Sequence, residues 1–352
     1  MTVPAPPTTM AREIAEQPAT IAATLDALRP LGPHIRELAG GAQRVLFVAR
    51  GSSDNAAVYG RYLSEVHGTV PAALAAPSVA THYHARMNLT GTVAVSISQS
   101  GQTDEIVATQ GWAADCGART IAITNDGDSA LADAADLALV TRAGDERAVP
   151  ATKSYTAQLA AVAVLVDALG TAVGRLDGQL AAVPDEVARL LAAADGVAAA
   201  VEHLADVVQI LVSGRGITYG TALEVALKLE ETCLDPVRGL SYADLRHGPI
   251  AVVDRSMVAM LVAAADGPMV DGMTDLARDL ARRGATIVGL GGDATFAAAC
   301  DTAVAGPRLT ELVAPLGLIA PAQLIVEALA RRRGLDPDAP RGLSKVTQTD
   351  PR

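Results

Sequence analysis

The sequence predicts an α/β fold: parallel sheets with helices on both faces (doubly wound), in two tandem copies. Three observations carry this. Short apolar, β-rich runs alternate with helix-length segments along most of the chain. The chain has 352 residues, half of them apolar, enough for about two domains with sizeable cores. The first strand–turn–helix unit also returns later. With Gly51 set on Gly216, an offset of 165, VARGSSDNAAVYGRYLSE lies over SGRGITYGTALEVALKLE. Tandem duplication explains that match economically; chance likeness between two strand–helix units is the alternative.

The elements follow in order. Residues 1–9 are rich in Pro and Thr and read as a tail. A helical pattern starts at Met10 and runs through Ile14, Ile21, Leu25 and Leu28 to Pro30. Residues 44–49 (RVLFVA) form a strand, followed by a Gly-Ser-Ser turn and a helix over 55–66. Strands at 92–98, 120–124 and 137–140 follow, with a helix over 104–116 and a buried helix over 158–169. An Ala-rich helix over 187–207 connects to a second series. There, strands at 208–213, 257–262 and 286–290 are separated by helices.

Composition excludes several classes. Lys plus Arg number 28 and Asp plus Glu 39, a net charge of −11. A nucleic-acid binder needs a basic footprint, so no nucleic-acid partner is expected. A small anionic ligand remains compatible, because a local pocket can oppose the global charge. Cys116, Cys233 and Cys300 are isolated, which argues against a disulfide framework or a zinc site. His82 and His84 could share one strand face, but no third ligand accompanies them, so no metal is expected. No signal peptide is evident, and the longest apolar runs have nine residues. A membrane span needs about twice that. The expectation is a cytoplasmic protein without a membrane partner.

Five segments could hold chemistry. Ser98, Gln99, Ser100, Gly101, Gln102 and Thr103 follow a strand and open a helix, where α/β sheets bind ligands. Hydroxyls, free N–H groups and the helix dipole there suit a phosphate, though plain helix capping is an equal reading. No lysine stands in this loop and its spacing is not that of a nucleotide-triphosphate loop. Lys228 and Glu231 stand i, i+3 on one helical face. They can act as base and cationic partner, or form a plain surface salt bridge. His247, in the turn Arg246-His247-Gly248-Pro249, suits proton transfer near neutrality. The last two are 151–155 (ATKSY) and 340–345 (PRGLSK).

Together these motifs resemble the sugar isomerase (SIS) superfamily, specifically the tandem-SIS isomerase half of glutamine–fructose-6-phosphate aminotransferase. Its carriers are RGSS at 50–53, SQSGQT at 98–103, ATKSYTAQL at 151–159, GRG at 214–216, ALEVALKLEE at 222–231, LRHGP at 245–249 and PRGLSK at 340–345. They occur in the family's order across nearly the whole chain. The resemblance implies a tail and helix at 1–30, SIS domains at 31–180 and 208–335, a connecting helix at 181–207, and a tail at 336–352 carrying an active-site lysine.

The resemblance also implies roles. Ser98, Gln99, Ser100 and Thr103 bind the sugar phosphate, with Ser53 nearby and Ser52, Arg50 and Arg238 around the substrate. Glu231 shuttles the proton between C1 and C2, and Lys228 assists at the adjacent oxygen. His247 opens the sugar ring, reaching the site from the partner subunit of a homodimer with shared active sites. Lys345 matches the lysine that forms a Schiff base with the open-chain ketose. No cofactor is implied. The family's synthase carries a glutaminase domain with a nucleophilic cysteine. The first cysteine here is Cys116, so glutamine hydrolysis by that route is not expected. Three positions depart from the synthase: Arg50 stands for a Cys, Ala151 for a Ser, and Arg238 for an acidic residue. An added arginine can favour a more anionic sugar, such as a sulfonated one, or simply pair with an acid.

The reading is therefore a phosphosugar isomerase or deaminase, with glucosamine 6-phosphate going to fructose 6-phosphate and ammonia. The alternative is an isomerase or deglycase for another C6-anionic sugar. A third reading, of another class, is a non-catalytic phosphosugar sensor. The full set Glu231, His247 and Lys345 and the lack of a DNA-binding segment oppose it.

Overall fold

The computed structural model describes residues 6–170, 173–207 and 209–349. Residues 1–5 and 350–352 of the expected tails, residues 171–172 of the expected first domain, and Val208 at the start of an expected strand lie outside the described residues.

Thr8 caps α1 (Thr9–Ala15) by accepting the Ala11 N–H, and α2 (Gln17–Leu28) follows. The one helix expected here is two. Pro18, in the first turn of α2, has no N–H to bond back to residue 14, so the ladder breaks at Glu16. After α3 (Gly32–Ala39) the first α/β unit comprises β1 (Arg44–Val48), α4 (Ser52–Val66), β2 (Ala72–Leu74), β3 (Thr92–Ile97), α5 (Asp104–Asp115), β4 (Arg119–Thr124), β5 (Leu137–Val140) and α6 (Lys153–Leu169). The connector is also broken, into α7 (Asp177–Ala193) and α8 (Val197–Leu204), with Ala194 and Gly196 between them at positive φ.

The second unit repeats the first: β6 (Gln209–Gly214), α9 (Tyr219–Cys233), β7 (Arg238–Ser241), β8 (Met257–Ala263), α10 (Val270–Arg282), β9 (Thr286–Gly291), β10 (Thr302–Val304) and α11 (Pro315–Arg332). Among the described residues the two sheets run β2-β1-β3-β4-β5 and β7-β6-β8-β9-β10, with every neighbouring pair parallel. The order is the same in both, so the duplication is real. Sequence reasoning missed β2, β7 and β10. Each is an edge strand of three or four residues, too short to show a period.

The central strands β3 and β8 are buried at every residue, as parallel strands covered on both faces must be. Helix α6 is buried from Lys153 through Ala168, because it is apolar nearly all round and is sandwiched rather than surface-laid. One core cluster runs through both units, joining Phe47, Tyr59, Leu159 and Val162 to Val212, Leu229, Ile319 and Ile325. At its centre α4 crosses α9 very closely. A Cβ on Gly220 would lie 2.7 Å from the Asn55 carbonyl oxygen, so this crossing requires glycine. The seam is therefore tightly packed, and it places α9 beside the loops of the first sheet.

His82 and His84 sit in a turn after the short helix Ser78–Thr81, not on a strand, and His82 Nδ1 meets the Thr81 hydroxyl at 2.8 Å. Among the described residues no three His, Cys, Asp or Glu side chains gather as a metal site, and no helix is long and apolar enough to cross a membrane.

Candidate active site

In the first sheet the chain leaves β1 toward β2 on one side, while β3 lies on the other. The loops after β1 and β3 therefore splay apart at the carboxyl edge, the switch point where open α/β sheets take ligands. A cavity of about 430 Å³ opens there. Residues 50–53 and 98–103 line one side, and the segment 146–151 lines another. Lys228 and Glu231 enter from α9 of the second unit, and the C-terminal segment 343–349 covers the top.

The loop after β3 is braced by its own hydroxyls. The Gly101 N–H donates to Ser98 Oγ and the Gln102 N–H to Ser100 Oγ, both at 3.2 Å. Gly101 has φ +63°, and a Cβ there would sit 2.1 Å from Ser129 Oγ, so the bend demands glycine. Thr103 occupies the position before α5, but its side chain makes no capping bond. Helix α5 thus brings the Thr103 side chain and its positive dipole end to the cavity, ingredients of an anion site, while the Ile106 and Val107 N–H groups turn back to the Thr103 carbonyl. One N–H is used from elsewhere: that of Asp104 donates to Gln348 Oε1 at 3.1 Å.

On α9 the periodicity puts Glu224, Lys228 and Glu231 on one face. Lys228 is almost fully buried, with Nζ 2.5 Å from Glu231 Oε2 and 3.5 Å from Glu224 Oε1. Burial works against its charge, but the two carboxylates outweigh it and hold its pKa above the ordinary lysine range. Lys228 is therefore an ammonium at neutral pH, a proton donor and charge partner rather than a base. Glu231 keeps its second oxygen and 26% side-chain exposure at the cavity wall. A carboxylate so placed can take and return a proton.

Lys345 is held from the opposite side. Its Nζ donates to Glu146 Oε2 and to the Ala148 carbonyl, both at 2.7 Å. Glu146 is buried, which disfavours its charge, yet Lys345 and Ser154 more than compensate and hold its carboxyl below the usual range. It also accepts the Thr152 and Ser154 N–H groups at 2.9 and 3.0 Å, fixing the start of α6. The tail reaches the cavity because Asp338 anchors it: the Asp338 carboxylate accepts the Thr9 and Met10 N–H groups, and its carbonyl accepts that of Val149.

Of the residues singled out from sequence, the structure brings Arg50, Ser52, Ser53, Ser98, Gln99, Ser100, Thr103, Lys228, Glu231 and Lys345 to this one cavity. Arg50 is engaged: it forms a two-point pair with Glu105 at 3.1 Å on each side. Arg238 does not reach the cavity. It is exposed at the amino end of edge strand β7, the far end from a ligand crevice. His247 is exposed just beyond the short helix Tyr242–Arg246 and stands outside this cavity. Sequence reasoning missed Glu146, Glu105 and Glu224. The last had a legible signal, Glu-x-x-x-Lys-x-x-Glu on one helix face; the other two are brought in only by folding.

The SIS domain family model matches residues 40–168 and 203–305, more than half of the chain. Glutamine–fructose-6-phosphate aminotransferase [isomerizing] of Methanothermobacter thermautotrophicus is 34% identical over 97% of this chain, which spans 57% of that relative's length. Among solved structures, a protein of Silicibacter pomeroyi DSS-3 described as a candidate phosphosugar isomerase is 31% identical with a TM-score of 0.83, over 94% of this chain and 100% of that one. The C-terminal domain of glucosamine-fructose-6-phosphate aminotransferase from Francisella tularensis superposes with a TM-score of 0.87 at 25% identity, over 97% and 100%. Two sheets of identical strand order, a ligand cavity at the first switch point and these matches lead to one conclusion: the chain belongs to the SIS domain family.

Proposed function

We propose that this chain is an enzyme acting on a phosphosugar, moving a proton between C1 and C2 of the open-chain form. The reaction assigned first is glucosamine 6-phosphate plus water to fructose 6-phosphate plus ammonia. The observation that carries this reading is one cavity joining an anion-type loop, a carboxylate beside a buried ammonium, and a second lysine. The relatives' names, which combine fructose 6-phosphate, amino transfer and isomerisation, support it.

The chemistry follows from the residue types. Ser98, Ser100, Thr103 and the α5 N-terminus hold the phosphate and so fix the far end of the sugar. The C2 proton becomes acidic once C1 is an open-chain aldehyde. Glu231 takes that proton and returns it to C1, while the Lys228 ammonium stabilises charge developing on the adjacent oxygen. The product imine at C2 is hydrolysed by water, releasing ammonia. Lys345 faces the same space, and its amine is the group for a Schiff base with an open-chain ketose. A cytoplasmic location belongs to the same proposal.

An isomerase or deglycase acting on another C6-anionic sugar, phosphorylated or sulfonated, is the second reading. Arg50 favours it, since this residue keeps 43% side-chain exposure at the cavity while bonded to Glu105. The test uses glucosamine 6-phosphate deuterated at C2. The label should pass to solvent or C1, with ketose and ammonia formed in equal amounts. Ammonia release with deuterium retained at C2 rules the mechanism out.

The same reading makes His247 the ring-opening acid–base of a neighbour's site in a homodimer. Its exposure outside its own chain's cavity supports this. Mixed Glu231→Gln and His247→Ala subunits should then regain part of the activity each lacks. No recovery despite proven subunit exchange defeats the shared site.

A further inference from the structure

The cavity wall at 146–151 has no helix or strand of its own, yet it grips Lys345 through the Glu146 carboxylate and the Ala148 carbonyl. Backbone outside helices and sheets must place its N–H groups elsewhere. Here the partners come from the far end of the chain. Glu13 of α1, which is buried, accepts the Arg147 N–H, and the Ala148 nitrogen lies 3.4 and 3.3 Å from its two oxygens. Glu16 accepts from Lys153 Nζ at 2.6 Å. Gln17 Nε2 donates to Gln323 Oε1 at 2.9 Å, and Gln323 Nε2 to the Thr152 carbonyl at 3.4 Å.

Residues 13, 16 and 17 are spaced i, i+3, i+4, and Glu16 keeps helical dihedrals across the break between α1 and α2. All three therefore share one face, and that face is turned to the segment 146–153. Their partners differ. Glu16 and Gln17 act on Lys153 and Thr152, at the start of α6. Glu13 acts on the cavity wall itself. Burying a carboxylate is costly unless it is hydrogen-bonded, and an apolar side chain would hold α1 in place at less cost. Ala148 is bonded at both ends: its N–H to Glu13 and its carbonyl to Lys345.

From this geometry, and resting on the reading of Lys345 above, we infer that Glu13 is a positioning residue: by fixing the 147–148 backbone it sets where the Lys345 amine stands in the cavity. The first turns of the chain, remote in sequence from every cavity residue, thus belong to the working parts of the site.

The test is Glu13→Gln, which keeps the size of the side chain and puts an N–H donor where one acceptor oxygen was. The kcat on glucosamine 6-phosphate should fall about tenfold, the scale of a lost hydrogen bond to a charged group. KM should stay within about twofold, because the loop 98–103 stands on another side of the cavity. Glu16→Gln, one turn further on, should leave kcat within about twofold. A second readout needs no turnover. The chain has three lysines, Lys153, Lys228 and Lys345. Acetic anhydride labelling of Glu13→Gln, read by mass spectrometry, should rise about fivefold at Lys345, as a weakened hydrogen bond frees the amine. Lys153, held by Glu16, is the reference and should not change.

Unchanged labelling of Lys345 overturns the inference, whatever kcat does. So does a parallel rise at Lys153, which means that α1 as a whole has come away, and so does an equal loss of kcat in Glu16→Gln. If Glu13→Gln does not fold, the wild type decides. Hydrogen exchange over 146–149 should be slower than in an open loop by about tenfold or more, and exchange as fast as an open loop overturns the inference. Higher Lys345 labelling with an unchanged kcat supports the role of Glu13 and defeats the reading of Lys345. A wild-type protein that turns over no sugar phosphate defeats the proposed function, while labelling and exchange still decide the role of Glu13.

Discussion

The two sheets have the same strand order and the same switch point, yet their crevices differ about as much as two crevices can. The one at β1/β3 holds about 430 Å³; the one at β6/β8 holds about 10 Å³. At the offset of 165, Ser98-Gln99-Ser100-Gly101-Gln102-Thr103 faces Ala263-Ala264-Ala265-Asp266-Gly267-Pro268. Each hydroxyl of the first loop is an alanine or a proline in the second. Met269 and Met273 fill the space, and Asp266 and Glu311 line it with carboxylates. Burial and Asp266 both push the Glu311 carboxyl up, so two carboxylates crowd a crevice in which Arg215 is the one cationic lining residue among the described residues, a poor setting for a phosphate.

The helices show the reverse asymmetry. Glu224, Lys228 and Glu231 of α9 correspond at that offset to Tyr59, Leu63 and Val66 of α4. The second unit sends Lys228 and Glu231 into the first unit's crevice, whereas the matching positions of α4 are apolar and do not line the second crevice. Duplication produced two potential sites; the composition of one loop and one helix concentrated the chemistry in one of them. The fold supplies the place, and a handful of side chains decides whether it is used.

Three variants sharpen this comparison, in falling order of effect. Glu231→Gln should cut kcat by roughly 10²–10⁴ with KM nearly unchanged, because it removes the base and keeps the shape. Steady-state assay of both constants checks it, and a kcat within a factor of two of wild type removes Glu231 from the mechanism. The double change Ser100→Ala and Thr103→Ala makes the first loop resemble the second. It should raise KM about tenfold or more, the cost of hydrogen bonds to a charged group. If KM stays put, the anion is held elsewhere. The reverse exchange, Ala265→Ser with Pro268→Thr, should change activity less than about twofold, as surface changes away from a site usually do. It should also create no phosphate binding in calorimetry, since Asp266 and Glu311 remain. New binding there would mean that hydroxyls alone make the site.

The sequence alone determined the α/β class, the duplication and most central strands, because buried parallel strands and glycine turns are local patterns. It also marked the loop 98–103 and the Lys228–Glu231 pair, whose geometry follows from helix periodicity and from the end of a strand. The breaks at Pro18 and Gly196 were written in it too, but the apolar periodicity on both sides masked them.

Tertiary structure decided the rest. Whether Lys228 is a surface ion pair or a buried ammonium depends on what covers α9, and that is α4 and α11, from distant parts of the chain. Glu146 and Lys345 lie 199 residues apart, and Arg50 and Glu105 lie 55 apart. No local pattern couples such pairs. They meet because two sheets, packed on one core, bring a loop, a helix and a tail to the same edge. Burial then sets the charge of each group, since a carboxylate or an amine titrates according to the partners and solvent that the fold leaves it.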